Sequence, residues 1–264
     1  MSYPNVIYGD FGDEKVAQST KIGNLPLGQL MILPDGRKFR HAKAAAAALS
    51  AGIVVSTTAG VAAHGNVAAS GLVASATTTH NVAGATDVYI VAGSVAFTKD
   101  MWADGYMNVQ DDTGEGHVYF VKSNDSGAAS TQIKVSLYPN DKIKTAFNPN
   151  TTTVSLRKSL FTDQIIGATG TLIAPVTGTT PTAVSASFYF WVQRGGPASL
   201  RTGATTVVNG DRVVAATATA GSVTVHTTAD TSTVVAAFNK NTYVGTALET
   251  VTATEQALVD VNLE

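Results

Sequence analysis

The feature that most limits how this chain can fold is a succession of short runs rich in Val, Thr, Ile and aromatic residues, separated by Gly, Asn, Asp and Pro. β-Branched and aromatic side chains pack well on a pleated surface, and the separating residues suit tight turns. Regular spacing of such runs predicts an all-β protein of sandwich or barrel type. The clearest runs are 87–95, 116–122, 131–138, 183–193, 204–208, 211–216, 222–226 and 242–251.

One of these runs shows which side of its strand is buried. In TQIKVSLY, residues 131–138, Ile133, Val135 and Leu137 alternate with polar residues. Because successive side chains of a strand point to opposite faces, the pattern predicts one wet face, as in an antiparallel sheet.

The first 52 residues differ from the rest. Up to about residue 40 they show neither a strand period nor a helix period, which predicts an extended N-terminal arm ordered by a neighbour, with a mobile tail as the alternative. Four apolar residues of the arm are predicted to contact a partner: Tyr8, Phe11, Leu25 and Leu27. Pro34-Asp35-Gly36 predicts a turn between two short strands. The Ala-rich stretch 43–50 predicts one short helix that ends at Gly52.

The Thr- and Pro-containing stretch TLIAPVTGTTPTAV, residues 171–184, has the composition of a connector. It predicts a boundary between two β domains. The expected organisation is therefore an arm with hairpin and helix at 1–52, a middle β domain at 53–175, and a small barrel-like domain at 176–264.

Charge and composition exclude several classes of partner and site. The net charge is −2 and the basic residues form only one short cluster, RKFRHAK, so we expect no nucleic-acid partner. The most apolar window, 42–69, is interrupted by Lys43, His64 and Asn66, so we expect no membrane-spanning segment. There is no cysteine, which rules out disulfides and thiolate sites.

The remaining polar residues do not form a known catalytic pattern. The five histidines (His41, His64, His80, His117 and His226) are far apart in sequence and lack the spacing of a metal site. The acidic stretch around Asp111, Asp112 and Glu115 is interpreted as the tip of a β-hairpin, because its calcium-loop pattern is incomplete and its carboxylates share one loop. We therefore predict no enzyme activity, and no catalytic, cofactor-binding or metal-binding residues.

The run FYFWVQRGGPASL, residues 188–200, concentrates aromatic residues that are scarce elsewhere. Alternation along a strand places Phe188, Phe190 and Val192 on one face, which we predict to be core. Tyr189 and Trp191 fall on the other face and are candidates for contact with an adjacent sheet, domain or subunit. Residues 195–197, Gly-Gly-Pro, are predicted to turn the chain.

Several stretches resemble one group of proteins. GYMNVQDDTGEGHVYFVKSND (105–125), STQIKVSLYPNDKIKTAFNPNTTTVSL (130–156), FYFWVQRGGPAS (188–199) and the N-terminal EKVAQSTKIGNLPLGQLMILPDGRKFRHAKA (14–44) are similar to virion structural proteins of tailed bacteriophages. Gly196, Pro197 and the segment 207–213 also resemble the small β-barrels of phage decoration proteins.

This resemblance implies a homo-oligomer, trimeric in many such proteins, that contacts the major capsid protein and cements the capsid surface of the virion. Two alternatives remain open at this stage. One is a glycan- or receptor-binding β module with Trp102, Tyr106, Tyr119 and Trp191 as stacking platforms. The other is a polysaccharide depolymerase with paired carboxylates.

Overall fold

The computed structural model describes residues 5–23, 25–58, 80–91, 93–149, 151–167, 174–226 and 242–264, together with the backbone of 67–68. Within these residues the chain is almost entirely β-structure, as predicted, with a single turn of 3₁₀ helix at Asp13–Lys15. The strands are β1 Val6–Tyr8, β2 Leu30–Ile32, β3 Lys38–Lys43, β4 Val54–Ser56, β5 Val67–Ala68, β6 Asp87–Val91, β7 Tyr106–Asp111, β8 Val118–Asn124, β9 Gln132–Leu137, β10 Thr153–Arg157, β11 Ile165–Ile166, β12 Val176–Thr179, β13 Tyr189–Arg201, β14 Arg212–Ala215, β15 Val223–Val225, β16 Tyr243–Ala247 and β17 Gln256–Asn262.

The chain divides into two compact units. The first unit consists of Met1–Ala59 and Leu160–Glu264, and the second consists of Gly60–Ser159. The predicted boundaries at 52/53 and 175/176 do not coincide with these, because strands from the N-terminal segment pair with strands from the C-terminal third of the chain.

The first unit is built on one large sheet. Its main path runs β1-β2-β3-β13-β17-β16-β14-β15, and β4, β11 and β12 attach beside it. Among these pairings only β1 with β2 is parallel. β12 lies inside the predicted connector 171–184 and is buried throughout, since it pairs with β4 and β13. Residues 171–173 of that connector lie outside the described residues.

The predicted N-terminal arm is part of this sheet. The turn at Pro34-Asp35-Gly36 is confirmed, with the Gly36 amide donating to the Leu33 carbonyl at 2.9 Å between β2 and β3. β3 then pairs with β13 over residues 38–43. The segment is therefore ordered by its own chain and needs no neighbouring subunit to pair with.

The predicted helix at 43–50 is absent. Lys43 is the last residue of β3, and Ala44 and Leu49 form isolated bridges to Gln164 and Val184. Both side chains are buried in one apolar cluster with Phe190. Long-range backbone hydrogen bonds and burial thus override the high helix propensity of alanine.

β13 is the longest strand and does not turn where Gly-Gly-Pro predicted a turn. It continues through residues 195–197 with a bulge between Gln193 and Gly195. The buried Gln193 amide spans this bulge by donating to the carbonyls of Gly195, Gly196 and Pro197 at 2.9–3.2 Å. The bulge replaces a chain reversal, since bulges bend a strand without ending it.

Both faces of the first half of β13 are buried. Phe190 and Val192 pack in the cluster that holds Ala44 and Leu49. Trp191 packs on the opposite side with Leu25 and Phe39. The predicted core face is confirmed, and the second face is core as well because the N-terminal strands cover it.

The second unit contains a six-stranded sheet in the order β5-β10-β7-β8-β9-β6. The β7–β8 pair is an antiparallel hairpin with the acidic residues at its tip, as predicted. The alternation of β9 is also confirmed, with Ile133, Val135 and Leu137 buried. The core of this unit is formed by Val88, Ile90, Phe97, Trp102, Met107, Val109, Tyr119, Val121, Ile133, Val135, Leu137, Ile143, Phe147, Val154 and Leu156.

Within the described residues no helix is long and apolar enough to cross a membrane.

Candidate interaction surface

Two aromatic side chains at the N-terminal edge of the large sheet are open to solvent. Tyr8, at the end of β1, is 83% exposed, and Phe11 is 65% exposed. β1 is the last strand at this end of the sheet and pairs only with β2 among the described strands. The amide of Gly9, the residue after Tyr8, donates to the Ile32 carbonyl of β2. Because the backbone groups of successive strand residues point to opposite sides, the N–H and C=O of Tyr8 point away from β2.

A tight turn holds Phe11 outward. The Asp13 amide donates to the Asp10 carbonyl at 3.2 Å, and the Asp13 carboxylate accepts from the Asp10 amide at 3.0 Å. Gly12 adopts a φ of 108°, a conformation that side chains rarely allow. The ring of Phe11 is therefore presented by a hydrogen-bonded turn.

Exposed apolar side chains are concentrated in this segment. Val16 and Ile22 are also exposed, so four of the twelve large exposed apolar residues among those described fall between residues 8 and 22. We call Tyr8, Phe11, Val16 and Ile22 the N-terminal apolar set. These four residues are therefore candidates for contact with a partner.

The other predicted interaction residues are placed differently. Leu25 and Trp191 are core residues of one cluster, at 2% and 6% exposure. Leu27 is half-buried. Tyr189 is half-buried too, and its ring stacks on His41 at 5.7 Å and lies 5.4 Å from the Lys43 ammonium. Of the six predicted residues, Tyr8 and Phe11 are exposed, Leu27 and Tyr189 are half-buried, and Leu25 and Trp191 are buried where the N-terminal strands pack onto β13.

A charged cluster ties the end of the chain to two strands of the large sheet. The Glu264 carboxylate pairs with the guanidinium groups of Arg40 and Arg194, and Arg194 also donates to the Thr177 carbonyl at 2.7 Å. Burial raises the pKa of the Glu264 carboxyl, but Arg40 and Arg194 outweigh that effect and hold the pKa below its ordinary value.

The acidic hairpin tip has a structural role. The Asp112 carboxylate accepts hydrogen bonds from Thr151 at 2.5 Å, Asn148 at 3.0 Å and Thr152 at 3.2 Å. The hydrogen bonds from Thr151 and Asn148 lower the pKa of the Asp112 carboxyl. The same hydrogen bonds join the hairpin tip to the segment that contains Asn148 and Thr151.

No group of three or more His, Cys, Asp or Glu side chains in the described ranges could hold a metal ion. His64 lies outside those ranges. His41 is buried, with a ring centroid 5.3 Å from that of Trp191, while His80 packs on Tyr89 and His117 contacts the Tyr119 hydroxyl.

The four proposed stacking platforms do not form a glycan surface. Trp102, Tyr119 and Trp191 are buried, and only Tyr106 is accessible, at 46% exposure. The ring of Tyr106 packs against Phe120 at 5.4 Å on the outer face of the six-stranded sheet.

Sequence reasoning missed the aromatic pair beside Tyr106. Phe120 stacks on Tyr138 at 4.7 Å, and the Tyr138 hydroxyl donates to the buried Asp104 carboxylate at 2.7 Å. Burial, followed by the hydrogen bond to Asp104, raises the pKa of Tyr138 above its ordinary value. The alternation of Phe120 with Tyr119 would have placed Phe120 on the outer face, but nothing local to the sequence pairs it with Tyr138.

Two clefts of the first unit were also missed. One, of about 430 Å³, lies beside Glu14, Arg37, Gln193 and Pro197. Within it the buried Glu14 carboxylate is already satisfied by Arg37 at 3.4 Å and the Gly12 amide at 2.6 Å. The other, of about 380 Å³, crosses four strands at Gly195 and Gly196, which follow the bulge in β13. The glycines inside the predicted strand could have indicated this cleft, since glycine within a strand often marks a bulge or a site that another group approaches closely.

Comparison with protein-family models, curated proteins and solved structures finds no match for this chain.

Proposed function

We propose that this protein is a virion structural protein of a tailed bacteriophage that decorates the capsid surface and cements it. The observation that carries the proposal is the pair of exposed rings, Tyr8 in β1, which is an edge strand among the described strands, and Phe11 just after it. The resemblance of residues 14–44, 105–125, 130–156 and 188–199 to such proteins supports the virion context.

The exposed rings suit a protein whose function is to form contacts with other proteins. Removing an aromatic side chain from water is worth about 2 kcal/mol, at roughly 25 cal/mol per Å² of apolar area. An edge strand also offers unpaired backbone groups to a partner strand. Contacts of both kinds across capsid joints stabilise the assembled shell, because anything that binds only the assembled state shifts the equilibrium toward it.

The partners in this proposal are the major capsid protein and further copies of the same chain, in a closed oligomer such as a trimer. In finer detail, we propose that the two β units are sandwich- or barrel-like bodies and that the N-terminal apolar set faces the shell. The location is then the outer surface of the virion head.

The proposal is tested on virions of a phage that encodes this chain. The variant Tyr8→Ser with Phe11→Ser removes both rings at exposed positions and leaves the core untouched. Deleting residues 1–28 is less informative, because the deletion also removes β1 and the buried Leu25. We expect the double variant to lower the copy number per virion relative to the major capsid protein, measured by mass spectrometry, and to lower heat resistance.

The matched control is Val118→Ser, which removes an exposed apolar side chain, 56% accessible, from the second unit. The control is expected to keep wild-type occupancy. Wild-type occupancy of the double variant would contradict a role for β1. A wild-type copy number far below that of the major capsid protein would contradict decoration itself and point to a fibre or tail component.

A further inference from the structure

The cleft of about 380 Å³ crosses β3, β13, β17 and β16, which are consecutive neighbours in the large sheet. Gly195 lies opposite Lys38 on one side and opposite Asn262 on the other. Asp260 lies opposite Thr246 one step further along β17. Residues opposite each other share a face, so these side chains line one groove on one side of the sheet.

The floor of the groove is open because Gly195 has no side chain. A Cβ at this position would meet only side-chain carbons of Lys38, at 3.5–3.7 Å, which is ordinary van der Waals contact. The backbone of Gly195 is not in the left-handed region, unlike that of Gly196 with a φ of 83°. Chain conformation therefore does not demand glycine at 195, and its main effect is to leave space above the sheet.

Three polar side chains along the groove are not engaged by the folded chain. Lys38, Asp260 and Asn262 form no side-chain hydrogen bond and no ion pair with any residue that the structure describes. Together they offer an ammonium, a carboxylate and an amide within one concave surface. Such a mixture can donate to and accept from several hydroxyl groups of one ligand.

The charges and the aromatic wall favour a neutral, polyhydroxylated ligand. Lys38 and Asp260 carry opposite charges, and the Glu264 carboxylate at the edge of the groove is compensated by Arg40 and Arg194. Tyr243 forms a wall at 38% exposure, and its hydroxyl lies 3.0 Å from the Thr246 hydroxyl, which orients the ring. An aromatic face combined with a few convergent polar groups is how proteins hold sugar rings.

We propose that this groove binds a neutral saccharide. The volume lies in the range of small-ligand sites, about 300–1,000 Å³. The proposal is independent of the capsid role: it concerns a different surface of the first unit from Tyr8 and Phe11, and it is tested on the isolated full chain.

The experiment is a titration of the full chain with cellotetraose, maltotetraose, mannotetraose, galactotetraose and chitotetraose, followed by protein-observed NMR and calorimetry. We expect at least one of these to bind with a dissociation constant of millimolar or tighter and to shift the amide signals of Gly195 and Asn262. Tyr243→Ala should weaken that binding at least tenfold. Tyr106→Ala, which removes an exposed tyrosine of the second unit, should leave it unchanged.

A second variant keeps the test independent of any effect of Tyr243 on folding. Gly195→Leu fills the groove from its floor and should abolish binding, whereas Gly195→Ala should preserve the thermal unfolding midpoint. The proposal is overturned if none of the five saccharides binds at 10 mM, or if Tyr106→Ala rather than Tyr243→Ala removes binding. It is also overturned if a parallel titration with the acidic polysaccharide polygalacturonate shows binding and the five neutral saccharides show none. None of these outcomes changes the copy number per virion expected for the variant with Tyr8→Ser and Phe11→Ser, so the two proposals are tested separately.

Discussion

Replacing Trp191 with alanine tests whether the aromatic run of β13 is core or interface. The Trp191 side chain is 6% exposed and packs with Leu25, Met31, Leu33 and Phe39, which belong to the N-terminal segment and β3. Truncation removes a large buried ring and leaves a cavity between β13 and the strands that cover it. Buried Trp→Ala changes cost about 3–5 kcal/mol.

That loss is large against a total stability of about 5–15 kcal/mol for a typical domain. At about 2–4 °C per kcal/mol for a unit of this size, the unfolding midpoint should fall by roughly 6–20 °C. Circular dichroism during heating or urea titration of the isolated chain measures the shift. Hydrogen exchange should quicken at Met31 and Phe39, because the cavity opens beside their strands.

Tyr8→Ala is the matched control, since it removes an aromatic ring from the same segment at an exposed position. Surface substitutions of this type change stability by less than about 0.5 kcal/mol. If Trp191→Ala leaves the isolated chain as stable as Tyr8→Ala does, then Trp191 is not a core residue. The packing of the N-terminal strands onto β13 would then be refuted.

Three further predictions concern charged and titrating groups. Because the pKa of Glu264 is lowered in the folded state, its contribution to stability is present above the ordinary glutamate range and lost as pH falls through the folded-state pKa. Glu264→Gln should therefore weaken the dependence of the free energy of unfolding on pH at acidic pH, measured by denaturation at a series of pH values. At neutral pH the substitution should cost at most about 1 kcal/mol, since the ion pairs of Glu264 with Arg40 and Arg194 are partly solvated. Because the pKa of Tyr138 is raised, its contribution to stability is present below the ordinary tyrosine pKa and lost as pH rises through the folded-state pKa. Asp104→Asn removes the carboxylate that accepts from the Tyr138 hydroxyl, so it should bring the pKa of Tyr138 down in an absorbance titration. Asp112→Ala should speed proteolysis of the segment that contains Asn148 and Thr151, whereas protection equal to wild type would show that the Asp112 hydrogen bonds do not hold it.

The second unit was the more predictable one because its signals are local. The alternation of Ile133, Val135 and Leu137 gives β9 its buried face from sequence alone. The β7–β8 hairpin follows from two β runs around a loop with Gly114 and Gly116, both of which adopt positive φ. Neither inference needs a residue from elsewhere in the chain.

The first unit was less predictable because its strands meet across long sequence separations. Ala-rich residues 43–50 favour a helix locally, but Ala44 and Leu49 are held by Gln164 and Val184. The groove is likewise lined by residues near 38, 195, 245 and 260, which are far apart in sequence. No local sequence pattern predicts the strand register that brings them together. Tyr8 and Phe11 of the N-terminal segment are exposed, whereas Leu25 of the same segment is buried because it packs on Trp191 of β13.

The two halves of β13 differ in how many of their faces are buried, because both faces are buried in the first half and only the face of Ala198 and Leu200 is buried in the second. Phe190 and Trp191 bury rings on opposite faces, which matters in a chain where only 7% of residues are aromatic. The bulge after Gln193 then bends the strand, and Gly195 leaves its face open between β3 and β17. Substitutions in the first half should therefore change unfolding without needing a ligand or partner. Substitutions at Gly195 that respect its backbone should change only what the groove can hold.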